Sequence, residues 1–419
     1  MAAKYASGTM KIKNAENDLV DFHPNTKLDC IKNYQTNESL DSIVEDLQDG
    51  IDEAKSSGSV KVLDAKPDSE TFYDDVSNES LCVVFSDDDW KLTVKSRRYT
   101  TSDGVSSNGY YSAIPFNLYG ADEDAVLEVD WGDGTSSVLT RSDYTSSNRT
   151  ASMHKYAGDA GETVHNISIS SPDFSKTYLM SCSTSLYSDD TQRIVNRAFR
   201  NTLVSVDTPI PYVAGITVYA NDTGTSFSRD ANSMESLFFG CEELESVCAG
   251  LFSQNPDVTN FNYIFCQWQS ENTKMKSLPY GLLKYNTKAK NFYRGFYCMC
   301  FESIPEDLFK YTNEDLMITA AFTGPHSWTP IRDVPTNLFW YNKSITSFSS
   351  MYLQCDEFDL RIGSPVVQTA SYMFETGHGN SDDPVLDPTK RIVRVPNGSL
   401  THSTFNALTD DLKITVIGE

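Results

Sequence analysis

One short phrase returns along the second half of the chain, and it restricts the fold more than any other feature. It reads Phe239-Gly240-Cys241-Glu242-Glu243-Leu244-Glu245-Ser246-Val247, and later Phe296-Tyr297-Cys298-Met299-Cys300-Phe301-Glu302-Ser303-Ile304-Pro305-Glu306-Asp307-Leu308-Phe309. Aligned on the aliphatic residue before the turn, the copies put Val247, Leu278, Ile304, Val334, Leu360 and Val395 in one series, at steps of roughly 26–35 residues. A period in this range, kept in apolar positions while the residues between them vary, marks units that bury their apolar edge only against neighbours. The core is then made by stacking. Within a unit, Phe292 and Phe296 stand at i, i+4, which predicts a helical turn, and Ser303-Ile304-Pro305 predicts a short extended piece that ends at a turn. Phe239, Phe265, Phe296 and Phe322 are predicted to be core.

This phrasing resembles the BspA-type leucine-rich repeats of bacterial surface proteins and phage structural proteins. The resemblance spans residues 190–400 and is good at 265–283, 296–309 and 322–339. It degrades at Phe358-Asp359-Leu360, which no Pro follows. It implies a solenoid whose first unit, built from Ala198-Phe199 and Leu203 to Val206, is incomplete.

A chain of 419 residues is too long for one ordinary core, so several domains are expected. The net charge of −24 opposes binding to a phosphate backbone, so no nucleic-acid partner is expected. No apolar run reaches the ~18 residues of a membrane span, and Met1-Ala2-Ala3-Lys4-Tyr5 lacks the pattern of an export signal. The nine cysteines are odd in number and sit mostly in the apolar phrase, so they read as small buried hydrophobes. Cys298-Met299-Cys300 has no second pair or nearby His, and no metal or cofactor is predicted.

Taken in order, Thr9 to Lys13 and Leu19 to Phe22 alternate in character around a turn and predict a hairpin. The segment containing Val20, Phe22, His23, Pro24, Leu28 and Ile31 resembles the root of head-fibre and tail-fibre proteins of crAss-like phages of gut Bacteroidales. That resemblance implies attachment to a capsid or tail protein and a place in the virion. Leu40, Ile43, Val44, Leu47 and Ile51 share one face of a predicted helix, which either packs on the hairpin or pairs with copies of itself in a dimer or trimer.

Between residues 81 and 185, short alternating runs separated by Ser, Asp and Gly predict a β-sandwich. Its sharpest phrase is Trp131-Gly132-Asp133-Gly134-Thr135, followed by His154-Lys155-Tyr156 and Gly161-Glu162-Thr163-Val164. The order resembles the polycystic-kidney-disease-type (PKD) sandwich, with Thr163 in place of the usual aromatic. Gly132 and Gly134 permit the positive φ of a tight turn, and Asp133 can bond amides within it. Asp130 and Asp133 read as turn residues, since the alternating ligand loop of a calcium site is absent.

The expected class is mainly β with α, divided as 1–58 root, 59–80 linker, 81–185 PKD-like sandwich and 186–419 BspA-like repeats. No HExxH, GxSxG, phosphate loop or dinucleotide fingerprint occurs, so no enzyme is predicted. Trp268, Trp328, Trp340 and Tyr341 fall in the uneven insertions between units, where exposed rings could meet a host-surface glycan or protein. The resulting expectation is a virion fibre that adheres without chemistry. A bacterial surface adhesin and a glycan depolymerase are the alternatives.

Overall fold

Alternating burial writes the first half of the chain as strands. The computed structural model describes residues 89–99, 107–145, 148–158, 162–182, 191–219, 227–267, 273–299, 301–322, 334–351, 353, 355, 357–374 and 387–419, with the backbone of three short strands before them. Those are β1 (Lys4–Ala6), β2 (Thr9–Lys13) and β3 (Leu19–Phe22). β2 and β3 pair antiparallel, with Met10 opposite Phe22 and Ile12 opposite Val20, and β1 adds a third strand to the predicted hairpin.

In β4 (Trp90–Lys95), Trp90, Leu92 and Val94 are buried while Lys91, Thr93 and Lys95 stand on the other face. β5 (Tyr110–Ala113), β6 (Val126–Asp130), β7 (Ser136–Thr140), β8 (Met153–Tyr156), β9 (Val164–Ser170) and β10 (Tyr178–Met180) follow. Then come helix α1 (Thr191–Thr202) and strands β11 (Leu203–Val206), β12 (Gly215–Tyr219), β13 (Phe227–Asp230) and β14 (Ser246–Val247). β15 (Phe358–Arg361), β16 (Arg391–Val395), helix α2 (Leu400–Asn406) and β17 (Thr415–Gly418) end the chain. Strands thus outnumber helices among the described residues, in line with the mainly β class expected from the alternating runs.

The largest sheet has the order β14-β11-β4-β9-β6-β7. β11 joins two regions: Val206 lies antiparallel opposite Leu92 of β4 and parallel opposite Val247 of β14. Backbone hydrogen bonds therefore run unbroken across the boundary expected near residue 185. One buried cluster follows the same path, from Trp90 to Ile414.

Residues 191–202, where the sequence reading places Ala198-Phe199 in an incomplete first repeat, form helix α1. Val195, Ala198 and Phe199 are buried as a helical face, but Arg193, Asn196, Arg197 and Arg200 are buried with them. The four polar residues form the face opposite the apolar one, so the helix is amphipathic in sequence and yet buried on both sides.

Further along, single parallel bridges join Ser233 to Asn260, Asn260 to Asn291, Asn291 to Met317, and Ser347 to Thr369. Three residues after each of these positions, the backbone enters the left-handed region at Ser236, Tyr263, Arg294, Ala320, Ser350 and Tyr372, with φ of 51–58°. The amides of Phe292, Arg294 and Phe296 donate to the carbonyls of Met317, Thr319 and Ala321 in the next segment. Those of Gly295, Tyr297 and Met299 donate three residues back instead. The predicted helical turn at Phe292 to Phe296 is therefore a run of tight turns. An α-helix would direct every amide inward along its own axis and leave none for the neighbour.

Two register readings are also corrected. The buried ring of its segment is Phe238 and not Phe239, which is half-buried beneath the Arg200 guanidinium. At the end of the series, Leu360 pairs with Val393, and Val395 pairs with Gly418. Val334 is only half-buried, whereas Val247, Leu278, Ile304 and Leu360 are buried.

A column of buried asparagines ties neighbouring segments together. Asn255 Nδ2 donates to the carbonyls of Ile210 (3.1 Å) and Pro211 (3.0 Å). Asn286 Nδ2 donates to Phe252 (3.1 Å) and Asn255 (2.9 Å), and Asn342 Nδ2 to Phe309 (3.0 Å) and Asn313 (3.1 Å). Paired carbonyl partners fix the amide orientation, since only the NH2 end can donate. Asn286→Ala is expected to cost about 1–3 kcal/mol, and Asn286→Asp more, because a carboxylate would turn acceptors toward acceptors. Urea unfolding of the two variants checks both the size and the order.

Candidate ligand-binding surface

The turn between β6 and β7 is fixed by its own side chains. Gly132 and Gly134 have φ of 74° and 85°, and a Cβ on Gly132 would lie 2.5 Å from the Asn166 carbonyl oxygen. Only glycine fits there. Asp130 Oδ1 accepts from the Gly132 amide (2.9 Å), and Asp133 Oδ1 accepts from the Thr135 amide (2.9 Å) and hydroxyl (2.6 Å). His154, delivered by β8, stacks on Trp131 with centroids 4.8 Å apart and sets its Nε2 2.8 Å from Asp133 Oδ2. A carboxylate only accepts, so Nε2 carries the proton.

Thr135, His154 and Asp133 together look like a nucleophile, base and orienting acid. Their hydrogen bonds give a different result: the Thr135 hydroxyl and His154 Nε2–H both point to Asp133, and no free base faces the hydroxyl. The cluster locks the turn. Burial of the Asp133 carboxylate, which raises its pKa, is outweighed by the hydrogen bonds from Thr135 and His154, which hold it at about 2.

The sign of the pH effect follows from that depression. Its stabilisation is complete above the ordinary carboxylate pKa of 3.8 and is lost as pH falls toward 2. Asp133 lies on an exposed turn, so solvent screening holds the expected loss to about 1 kcal/mol. Asp133→Asn should flatten that acid limb in a pH series of thermal melts.

Aromatic and basic side chains gather along one edge of the repeated segments. Leu282-Leu283-Lys284-Tyr285, Leu308-Phe309-Lys310-Tyr311 and Leu338-Phe339-Trp340-Tyr341 occupy equivalent places. The first two residues of each are buried, and the next two lie at the surface or half-buried. Lys284 Nζ sits 5.8 Å from the Tyr311 centroid, and Lys310 Nζ sits 5.0 Å from Tyr311 and 5.6 Å from Tyr341. Trp340 is clamped by Lys343 Nζ at 3.7 Å and the Arg361 guanidinium at 3.9 Å. Arg361 also pairs with Glu419 (2.9 Å), and Arg394 holds Asp359 through two contacts of 2.6 and 2.8 Å. Burial and the neighbouring Arg361 lower the pKa of Lys343, and the hydrogen bond from Arg394 lowers that of Asp359.

No family model, curated protein or solved structure matches the chain. The surface is therefore interpreted from its own residues.

Of the predicted contact residues, Trp340 and Tyr341 lie side by side on this edge, with Tyr341 exposed at 39%. A ring stacked on Trp340 would have to displace Lys343 or Arg361, so Tyr341 is the more available of the two. Trp268 and Trp328 lie outside the described residues, as do His23, Pro24, Leu28 and Ile31 and the helix positions Leu40, Ile43, Val44, Leu47 and Ile51. Val20 and Phe22 are in β3. The sequence reading missed Lys284, Lys310, Lys343 and Arg361. The first two are signalled by the recurrent Leu-Leu/Phe-Lys-Tyr phrase, but Arg361 reaches Trp340 only through the fold. Among the described residues, no three His, Cys, Asp or Glu side chains converge as a metal site, and no helix is long and apolar enough to cross a membrane.

Proposed function

We propose that the chain is a structural component of a phage virion, a head fibre or tail fibre that presents an outward repeat domain to host-surface glycan or protein. In this reading residues 1–58 are the root that docks on capsid or tail proteins and assembles a dimer or trimer. Residues 81–185 form a PKD-like spacer, and residues 186–419 form a BspA-like solenoid. The root assignment is supported by the phrase from Val20 to Ile31.

The observation that carries the display role is the shared sheet at β11. Pairing with β4 on one edge and β14 on the other joins spacer and repeats in one sheet, so the two can be presented as one continuous surface. Many copies on one particle turn weak contacts into avidity through effective concentration. The function requires positioning and no bond-making.

Immunogold labelling of particles with an antibody against residues 186–419 is expected to decorate the virion. Deletion of residues 1–58 should leave a soluble protein that no longer joins particles. Assembly of the truncated protein onto particles would refute the root, and turnover of polysaccharide by the purified chain would favour a depolymerase.

A further inference from the structure

The repeats of this acidic chain contain a basic stretch. From residue 258 to residue 301 the sequence holds Lys274, Lys276, Lys284, Lys288, Lys290 and Arg294 against a single carboxylate, Glu271, although the whole chain carries −24. Lys288 pairs with Asp257 and Lys290 with Asp315, acids that lie outside the stretch. Arg294 differs from both. Among the described residues no carboxylate pairs with it and no acceptor receives its guanidinium hydrogens, and its Nε is buried without a hydrogen-bond partner.

Tyrosines surround this cation. Asn260 bridges to Asn291, which puts Tyr263 beside Arg294 three residues further on. The guanidinium lies 5.3 Å from the Tyr293 centroid and 5.1 Å from that of Tyr297, and the Tyr263 ring meets Tyr293 edge-on at 5.4 Å. All four residues are half-buried, so the group keeps access to solvent. The bridge from Asn291 to Met317 makes Ala320 the equivalent residue of the next segment, and its methyl side chain offers no acceptor. Burial chiefly raises the phenol pKa of Tyr263 and of Tyr297, and the Arg294 charge works against both rises. Ring faces offset part of the cost of holding a cation away from water. They supply no lone pair in the plane of the guanidinium, where its five N–H groups point.

We infer that Arg294, with Tyr263, Tyr293 and Tyr297, binds the carboxylate of an acidic sugar, a sialic or uronic acid residue of a host-surface glycan. A carboxylate fills the empty fork through two parallel hydrogen bonds, which a neutral or apolar ligand cannot do. The rings cover the C–H face of a sugar, and their hydroxyls can donate to or accept from its own. An acidic peptide carries the same carboxylate on a flexible stem and leaves flat ring faces unused. A polyanion is disfavoured, because its further charges would meet the field of a strongly acidic chain, whereas one charge in contact with Arg294 is screened from acids more than about 10 Å away.

This inference rests on the adhesion reading, but it places contact at Arg294 and not at Tyr341. The test is an array of sialylated, uronate-terminated, neutral and polysulfated oligosaccharides, with a glutamate-rich peptide beside them, probed with the full chain and with Arg294→Asn and Tyr341→Ala. Arg294 has a φ of 51°, and asparagine tolerates that backbone while removing the charge. Circular dichroism and melting temperature report folding. Sialylated or uronate-terminated glycans are expected to bind, with at least ten-fold loss in Arg294→Asn and little change in Tyr341→Ala. Which of the two binds more tightly identifies the source of the carboxylate. Binding that falls with Tyr341→Ala but not with Arg294→Asn would overturn the site and leave adhesion standing. Equal binding of neutral glycans or of the peptide, preference for the polysulfated probe, or no binding would also overturn it; the particle-labelling experiment judges the fibre reading separately.

Discussion

Truncating Phe296 to alanine is expected to lower the stability of the repeat region by about 3–5 kcal/mol. Its ring is 1% exposed and stands at the centre of a column. Phe238 stacks on Phe265 at 5.4 Å, Phe265 on Phe296 at 6.1 Å, and Phe296 on Phe322 at 5.3 Å, with interplanar angles of 9–19°. Phe301 and Phe309 close on Phe296 from the side at 6.2 and 6.4 Å. Each ring sits on a segment whose amides are committed to the next one, so the backbone cannot collapse to fill the hole. A cavity that stays open carries the upper end of the cost. Phe322, 6% exposed and with fewer ring neighbours, should cost less when truncated. Urea unfolding followed by tyrosine fluorescence would show the difference, and a loss under about 1 kcal/mol for Phe296 would mean that the column can relax.

That ring positions could be anticipated at all reflects the limited variation the column tolerates. Phe265, Phe296 and Phe322 recur at one place in a phrase, and all are buried. The turn from Trp131 to Thr135 was equally legible, because its glycines and Asp133 act through bonds within a few residues. Register was less legible. Adjacent Phe238 and Phe239 are equivalent in hydropathy, and only the fold places Arg200 over the second. Val393 and Val395 have the same side of β16 in common, so period two cannot say which one meets Leu360.

Partners distant in sequence were not legible. β11 alternates weakly, and nothing local tells that one edge takes β4 and the other β14. The asparagine column left a signal that hydrophobic alignment ignores: Asn255, Asn286 and Asn342 each follow a Leu by four residues, at Leu251, Leu282 and Leu338. Helix α1 gave the opposite signal, since its buried arginines read as an exposed face. Asn166, Thr93, Ser205 and Ser246, paired side by side across four strands, are the same kind of case, with one unremarkable residue in each.

Arg391 joins these lessons in a second large expected effect. By alternation with Val393 and Val395 it belongs to the inner face of β16, and it is indeed 0% exposed. Its guanidinium donates through Nε to the Lys413 carbonyl (3.0 Å), through Nη2 to Leu412 (3.4 Å) and through Nη1 to Cys355. It also lies 5.1 Å from the Phe358 centroid and 5.8 Å from Phe374. The side chain thus ties the segment before β15 to the turn before β17, where Lys413 takes a left-handed φ of 51°. Arg391→Ala removes the donors and the packed stem together, with an expected loss of about 3–5 kcal/mol. Arg391→Met separates the two contributions, because it restores most of the stem without the donors. If packing dominates, Met should recover over half of the loss. If the carbonyls dominate, Met should remain near Ala, since buried acceptors left without partners keep their full cost. The second outcome is expected, because three carbonyls from two separate segments converge on one group and have no alternative donor in Met. Hydrogen exchange of the β17 amides distinguishes a local release of this end from global unfolding, and protection in β17 that is unchanged in both variants would show that Arg391 does not hold it.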